Sequence, residues 1–295
     1  MVSNPSSVTR PGKLTPFLPL DELLIEHAHA LQRACTRNFV GMYLIGSLAV
    51  GDFDAASDVD FMVVTNEELS SDDHVAVGAA HSDYLARDDR WPTHLEYSFF
   101  PMAKLQALSS PFGETSRSPL ADRLLWYFNG SHPERSDHDN TLVNRWTLRE
   151  KGVRVLGPEP ASFAPEVTPD ELRTEITNSI RGWDREMVLT RGWDREEGEL
   201  SSSPHYNRFH QAFFVLNYCR TLQGLHEGRI TSKREGVEWA KVHVDPSWNS
   251  LIDFCWRERS DPDIDVSQRA DPEMFRKVIE FSEYATRLGE DQKFS

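Results

Sequence analysis

Two acidic residues stand one residue apart at the start of a strongly apolar segment. Asp58 and Asp60 enclose Val59 at the beginning of DVDFMVV, residues 58–64. Residues i and i+2 of a β-strand project to the same face, so the two carboxylates would lie side by side. Such a pair repels itself unless a cation lies between, and Mg²⁺ binds through one or two carboxylates together with substrate phosphates. The pair therefore predicts a site for a metal and a phosphate-bearing ligand.

A phosphate contact is predicted just upstream of this pair. Gly46 and Ser47 follow a short apolar run, and ten residues separate Ser47 from Asp58. Glycine lets the backbone approach a phosphate, to which the Ser47 hydroxyl and amide can donate. The acids could instead belong to a solvated turn. A calcium loop of the EF-hand type is a further alternative, but its required Gly at the sixth position and Glu at the twelfth are absent.

A third acid has the same character. Glu96 lies within the strand-like segment THLEYSFF, residues 93–100. A charged side chain among strand hydrophobics is costly to bury unless it is paired or binds a metal. If this strand neighbours 58–64, three carboxylates converge. They could hold one or two Mg²⁺ ions and leave one carboxylate to take a proton from an attacking hydroxyl.

The first half of the chain predicts a sheet that can bring these residues together. Strands are predicted at 42–46, 58–64 and 93–100, a helix near 20–37 precedes them, and a second helix covers about 71–88. This order is typical of an α/β or α+β layered unit. Residues 1–17 are rich in Ser, Pro and Thr and predict a flexible tail.

The second half predicts helices. Beyond Pro101 the strand signal fades, apart from 153–156, and the proline-rich segment 157–169 marks a domain boundary. Thr168 and Glu171 then have capping-box spacing. The predicted helices lie near 169–190, 205–227, 233–241, 247–259 and 271–288. The predicted organisation is therefore a tail at 1–17, an α/β domain at 18–160 and an all-helical domain at 161–295.

Composition excludes some classes of partner. The chain has 47 acidic and 32 basic residues among 295, a formal charge of −15. Neither half is basic, which argues against a protein that grips nucleic acid through its phosphates. No apolar run is long enough to span a membrane. The three widely spaced cysteines suit a reducing compartment, and neither His27 with His29 nor His205 with His210 has H-x-x-x-H spacing, so we expect a cytoplasmic protein without zinc.

The motif G-S-x10-D-x-D resembles the signature of the nucleotidyltransferase superfamily related to DNA polymerase β. Three later segments look like the helical domain of the aminoglycoside adenylyltransferases that modify streptomycin and spectinomycin: RWTLREKGVRVLGPEP (145–160), VLNYCRTLQGLHEGRITSKREGVEWA (215–240) and WNSLIDFCWRER (248–259). The resemblance covers roughly 20–285. It implies a nucleotidyltransferase domain with a mixed sheet, followed by a helical bundle that binds the acceptor.

The resemblance also implies roles for individual residues. Asp58 and Asp60 match the Mg²⁺ ligands, and Glu96, close to the metal, matches the general base toward the acceptor hydroxyl. Gly46, Ser47 and Ser57 match contacts to the nucleotide phosphates, and Lys233 matches a lysine that reaches the phosphates from the helical domain. The implied reaction transfers AMP from ATP to a small cationic acceptor, by a monomeric enzyme.

Lys233 also fits this role on its own sequence context. Ser232 and Glu235 have capping-box spacing, which places Lys233 in the first turn of a helix. The helix dipole disfavours a cation there, so a phosphate partner is expected. The alternative is a solvent-exposed lysine near a helix cap.

Acceptor recognition departs from the family pattern. Members that bind streptomycin carry tryptophan and acidic residues where this sequence has Tyr206, His210 and Phe213. Trp126 and Tyr127 could line the acceptor site or belong to the core. Two alternative functions therefore stay open: a nucleotidyltransferase acting on a protein or RNA end, and a degenerate nucleotide-binding regulator. The regulator is expected to have lost one of the three acids, and all three are present.

Overall fold

The structure is a computed structural model that describes residues 13–53, 57–87, 91, 95–108, 110, 119–130, 132–195, 205–261 and 264–291. For residues 132 and 183–195 it describes the backbone alone. Most of the predicted tail, residues 1–12, lies outside these ranges. The described residues of the predicted tail, from 13 onward, contact the first helix. The backbone amides of Leu14 and Thr15 donate to the Asp21 carboxylate at 3.0 and 2.7 Å.

Within the described residues, six strands form one sheet in the order β5-β4-β3-β2-β1-β6. The central pair β2 and β3 is parallel, and every other neighbouring pair is antiparallel. The sheet is therefore mixed, which confirms the predicted fold class. The strands are β1 Phe39–Leu44, β2 Val59–Thr65, β3 Leu95–Pro101, β4 Leu125–Asn129, β5 His132–Ser136 and β6 Val153–Leu156.

Helices cover both faces of this sheet. One face packs on α1 and α3 through a core that includes Leu24, Phe61 and Phe99. The opposite face carries Met62 and Phe100 toward α4 and α6. Because side chains alternate along a strand, Asp60 and Glu96 share this second face with Met62 and Phe100. The helices of this half are α1 Leu18–Cys35, α2 Gly46–Val50, α3 Ser71–Leu85, α4 Met102–Gln106, α5 Leu120–Arg123 and α6 Leu142–Lys151.

The second half is helical, as predicted. Its central helix α8 is buried along most of its length and packs against the four helices around it. Each fully buried Phe or Leu side chain there contributes about 1.5–3 kcal/mol of burial free energy. The helices are α7 Pro169–Arg195, α8 Arg208–Glu227, α9 Lys233–His243, α10 Asn249–Arg259 and α11 Pro272–Asp291. No helix among the described residues is long and apolar enough to cross a membrane.

Two local expectations were wrong. The strand signal does not end at Pro101, because β4 and β5 form a hairpin on the edge of the sheet. β5 has the sequence HPERS, whose charges and proline are typical of an edge strand and hide the alternation of a half-buried one. The pair Gly46-Ser47 does not end a strand either, since it begins the short helix α2.

Candidate active site

Three of the predicted acids meet on one face of the sheet. Asp60 and Glu96 are directly paired across the parallel strands β2 and β3, and Asp58 precedes the first residue of β2. Burial raises the pKa of Asp60 well above its ordinary value, and the nearby charges of Glu96 and Asp58 raise it further. The structure thus brings together the acids that the motif spacing predicted, and Lys233 offsets only part of the effect that burial and mutual repulsion have on the pKa of Asp60.

Glu96 is held differently from its neighbour. Burial raises its pKa, but hydrogen bonds from His138 and Tyr127 outweigh that effect and leave the pKa below the ordinary value. His138 Nε2 lies 3.5 Å from Glu96 Oε1, and this contact raises the pKa of His138 to about 9. Asn129 Nδ2 in turn donates to the Tyr127 hydroxyl at 3.0 Å. These contacts keep the Glu96 carboxylate ionised and ready to accept a proton.

Sequence reasoning missed a fourth acid beside this group. Asp139 accepts a hydrogen bond of 2.6 Å from Ser98, which shares the face of β3 that carries Glu96. Burial raises the pKa of Asp139. Ligand atoms of Glu96, His138 and Asp139 all lie within 4.8 Å of one another. The spacing Asp137-His138-Asp139 was visible in the sequence, but no strand was predicted there to carry it.

The predicted phosphate contacts lie against the acids. Gly46 has φ of +58°, and a methyl group built on it would overlap the Asp60 carboxylate, so the position requires glycine. The Ser47 hydroxyl is buried, and no described protein group hydrogen-bonds to it. A buried hydroxyl normally has a partner. Ser57 is 5% exposed and lies next to Asp58. Ser47 therefore offers an unused donor beside the carboxylates.

The helical half brings cations to the same place. Lys233 is the first residue of α9, behind the capping box that Ser232 and Glu235 form as predicted. Burial lowers the pKa of Lys233 to about 8, nearby Arg220 and Arg259 lower it further, and Asp60 opposes the shift. The pKa of Arg220 is also lowered, first by burial. Three clustered cations next to buried acids form a site for a polyanion. Arg220 and Arg259 carry no motif of their own, so sequence reasoning missed them.

The candidate acceptor residues separate into two groups. Tyr127 contacts Glu96, and Phe213 lies 5.7 Å from Lys233 Nζ, measured to the ring centroid. Trp126 projects to the other face of the sheet, where its ring lies 4.1 Å from that of His74. Tyr206 is buried against Phe275. Trp126 and Tyr206 are therefore core residues, and the site retains Tyr127 and Phe213.

His210, the remaining candidate, bonds to Asn207 at the start of α8, and burial lowers its pKa to about 4. It is therefore neutral where relatives that bind streptomycin were expected to carry an acid.

The residues at the junction of the two halves fit a divalent cation with a bound phosphate chain. The carboxylates of Asp58, Asp60 and Glu96 carry the hard oxygen atoms that Mg²⁺ prefers, and a cation beside them would oppose the burial and repulsion that raise the pKa of Asp60. The Ser47 hydroxyl, to which no described protein group hydrogen-bonds, offers a donor to a phosphate oxygen. A fold with this sheet and this site defines a nucleotidyltransferase.

Comparison with known proteins gives the family. Residues 30–101 match the nucleotidyltransferase domain, and residues 166–286 match the C-terminal domain of aminoglycoside adenylyltransferase. The two matches lie in family order and together cover about two thirds of the chain. The chain belongs to the aminoglycoside adenylyltransferase family and is an enzyme of that type, which confirms the resemblance drawn from its motifs.

Among solved structures, the fold is similar to that of the spectinomycin adenyltransferase AAD(9) from Enterococcus faecialis, crystallised with ATP and spectinomycin. The TM-score is 0.62 at 14% sequence identity, over 91% of this chain and 99% of that one. No curated protein sequence matches the chain. At this identity the likeness shows the fold, so the substrates of this chain must be argued from its own residues.

Proposed function

We propose that the protein transfers AMP from ATP to a hydroxyl group of an aminoglycoside or aminocyclitol, with Mg²⁺ and with release of pyrophosphate. One observation carries the proposal. The carboxylates of Asp58, Asp60 and Glu96 lie on the sheet, and Lys233 and Arg220 of the helical half lie close enough to affect their charge. Acids for a metal and cations for a phosphate chain are the two requirements of phosphoryl-type transfer.

Asp58 and Asp60 would hold Mg²⁺, with Glu96 beside them. When bound, the metal neutralises charge on the nucleotide phosphates and on the α-phosphoryl group as it is attacked. Ser47 would donate its hydroxyl to a phosphate oxygen, and Gly46, whose missing side chain leaves room for the Asp60 carboxylate, would contribute its backbone. Lys233 and Arg220 would pair with the triphosphate, since a polyanion relieves the repulsion between them.

Glu96 would act as the general base. Its low pKa, which the contacts with His138 and Tyr127 maintain, keeps it ionised at neutral pH. The acceptor hydroxyl gives its proton to Glu96, its oxygen forms a bond to the α-phosphorus, and the bond from that phosphorus to pyrophosphate breaks. The products are the adenylylated acceptor and pyrophosphate, and the proton on Glu96 passes to solvent.

The acceptor would enter between the two halves, beside Tyr127 and Phe213. The net charge of −15 favours a cationic molecule over an anionic one and speaks against nucleic acid. The similar fold of an enzyme crystallised with spectinomycin supports a small antibiotic acceptor. We assign residues 18–160 to nucleotide binding and 161–295 to acceptor binding. The three cysteines are buried and unpaired, which supports action in the cytoplasm, and we propose a monomer.

Mass spectrometry tests this function. Incubation with ATP, Mg²⁺ and a panel containing spectinomycin and streptomycin should yield an adenylylated drug and pyrophosphate. Asp58→Asn should abolish the product without unfolding the protein, whereas the control Asp72→Asn, at an exposed position in the first turn of α3, should keep full turnover. Full turnover by Asp58→Asn would contradict the mechanism. Adenylylated protein instead of drug would support the alternative acceptor, and no product at all would support the regulator.

A further inference from the structure

The connection between α2 and β2 is held from the helical half at both of its ends. At one end, Asp52 accepts two hydrogen bonds from Arg234: the backbone amide donates at 3.2 Å and Nε at 2.8 Å. At the other end, Arg259 Nη2 donates to the Ser57 hydroxyl at 3.3 Å. Ser57 immediately precedes the metal-site residue Asp58. Both contacts therefore cross from one half of the enzyme to the other.

The two arginines share a single aromatic partner. The guanidinium carbon of Arg234 lies 5.0 Å from the ring centroid of Trp256, and that of Arg259 lies 5.5 Å from it. Trp256 and Arg259 are on α10, whereas Arg234 is on α9. Because a guanidinium is attracted to the face of an aromatic ring, Trp256 fixes the separation between the two arginines. They thus act on Asp52 and Ser57 as one unit.

The contacts also link the two charged parts of the active site. Arg234 directly follows Lys233 in the first turn of α9, so anchoring Arg234 fixes the lysine that faces the acids. The Asp52 side chain is 14% exposed, so its ion pair is better shielded from solvent than a typical surface pair. A shift at either end of the connection would move Asp58 relative to Lys233.

We propose that Asp52, Arg234, Trp256 and Arg259 form an interdomain clamp that sets the distance between Asp58 and Lys233. Asp52, Arg234 and Trp256 are positioning residues, which act through the metal-site carboxylate and the phosphate-site lysine, whereas Arg259 also belongs to the cationic cluster around Lys233. The inference rests on the proposed function for the chemistry that the clamp serves. Loss of the clamp weakens MgATP binding and slows transfer, while binding of the acceptor is unchanged.

A double-mutant cycle on Asp52→Asn and Arg234→Gln tests the clamp. Each single variant should lower kcat/KM for MgATP about fivefold, the effect of losing one shielded ion pair. The double variant should be no worse than the worse single variant, because both remove the same side-chain ion pair. KM for the acceptor should stay within about twofold of wild type. Binding of a non-hydrolysable MgATP analogue, measured by calorimetry, should weaken in parallel.

The chain offers a matched control. Arg181 Nε pairs with Glu290 at 2.9 Å, and the arginine side chain is 53% exposed, against 52% for Arg234. Arg181→Gln breaks an ion pair of similar length away from the junction and should leave every kinetic constant unchanged. Trp256→Phe should keep most of the activity and Trp256→Ala should lose it. If Arg234→Gln lowers the melting temperature, Arg234→Lys is used in the cycle instead, since lysine keeps the charge but lacks the planar donor group.

The outcomes separate the clamp from the proposed function. Single variants that bind the analogue and turn over like wild type would overturn the clamp alone. Strictly additive losses in the double variant would also overturn it, because the residues would then act independently. A wild-type protein that bound no nucleotide would overturn the proposed function, and the clamp's task with it.

Discussion

Two buried titratable side chains of the sheet-bearing half have opposite charge states, although burial favours the neutral form of both. Glu96 is largely buried but receives hydrogen bonds from His138 and Tyr127, so its charged form prevails. His27, on α1, is 2% exposed, and its Nε2 has no hydrogen-bond partner among the described residues. Burial, with smaller contributions from the charges of His81 and Arg87, lowers the pKa of His27 to about 3. Hydrogen-bond partners, more than the degree of burial, therefore decide whether each side chain is charged or neutral.

His27 should make the fold acid-sensitive. Above its unfolded pKa of about 6.5, the imidazole is neutral in both states. As the pH falls below 6.5, His27 becomes protonated in the unfolded chain, whereas in the folded chain it stays neutral until about pH 3. Stability is therefore lost on acidification, by about 2 kcal/mol between pH 7 and pH 5. Urea unfolding at these two pH values should show that His27→Phe removes this part of the loss.

The control for this prediction is His29→Phe, since His29 is exposed on the same helix. It should keep the pH dependence of the wild-type protein. An equal acid-induced loss of stability in wild type and His27→Phe would show that His27 titrates normally in the folded state, contrary to its burial.

At the scale of elements, sequence patterns predicted those site residues that lie on a regular strand or at the start of a capped helix. β2 is a continuous apolar strand headed by two acids, and α9 begins with a capping box, so Asp58, Asp60 and Lys233 were predictable. The hairpin of β4 and β5 and the group around Asp139 were not. Their placement depends on pairing with β3 and on tertiary hydrogen bonds, neither of which leaves a periodic pattern.

Arg145 on α6 makes several tertiary hydrogen bonds near the segment that carries Asp139, which the sequence did not predict. It is fully buried and donates to the carbonyls of Leu105, Thr141 and Lys104, each at 2.9 Å, and to Asn140 Oδ1 at 2.6 Å. Burial lowers its pKa to about 10. The guanidinium thereby joins α4, α6 and the segment that carries Asp139.

Removal of Arg145 should be strongly destabilising. Arg145→Met keeps much of the side-chain volume but leaves buried acceptors without donors, which should lower the free energy of unfolding by about 3 kcal/mol. Arg145→Lys should rescue little, because an ammonium cannot reach four acceptors in a planar fork. Denaturant unfolding measures both effects. Arg154→Met, which breaks an exposed pair with Glu159, serves as the control and should change stability little. Equal stability of both Met variants would contradict the assigned role.

At the scale of the whole molecule, the distribution of charge suits the two proposed substrates, an anionic nucleotide and a cationic acceptor, in different ways. The three cations that face the acids are local, whereas the charge of −15 belongs to the whole chain. Under the proposed function, the negative charge would attract a polycationic acceptor from a distance, and the local cations would bind the nucleotide only at short range. The acidic surplus, which argues against a nucleic-acid partner, is thereby also part of the proposed substrate preference.

This use of charge predicts a salt dependence for the acceptor. At saturating MgATP, kcat/KM for a cationic aminoglycoside should fall about threefold or more between 0.02 and 0.5 M NaCl, roughly from a 20 Å to a 4 Å screening length. The value of kcat should change little, because the groups in contact during transfer are less screened than those that steer encounter. Steady-state assays in NaCl and in KCl exclude a specific ion effect. An unchanged kcat/KM across the series would show that the net charge contributes solubility but no steering.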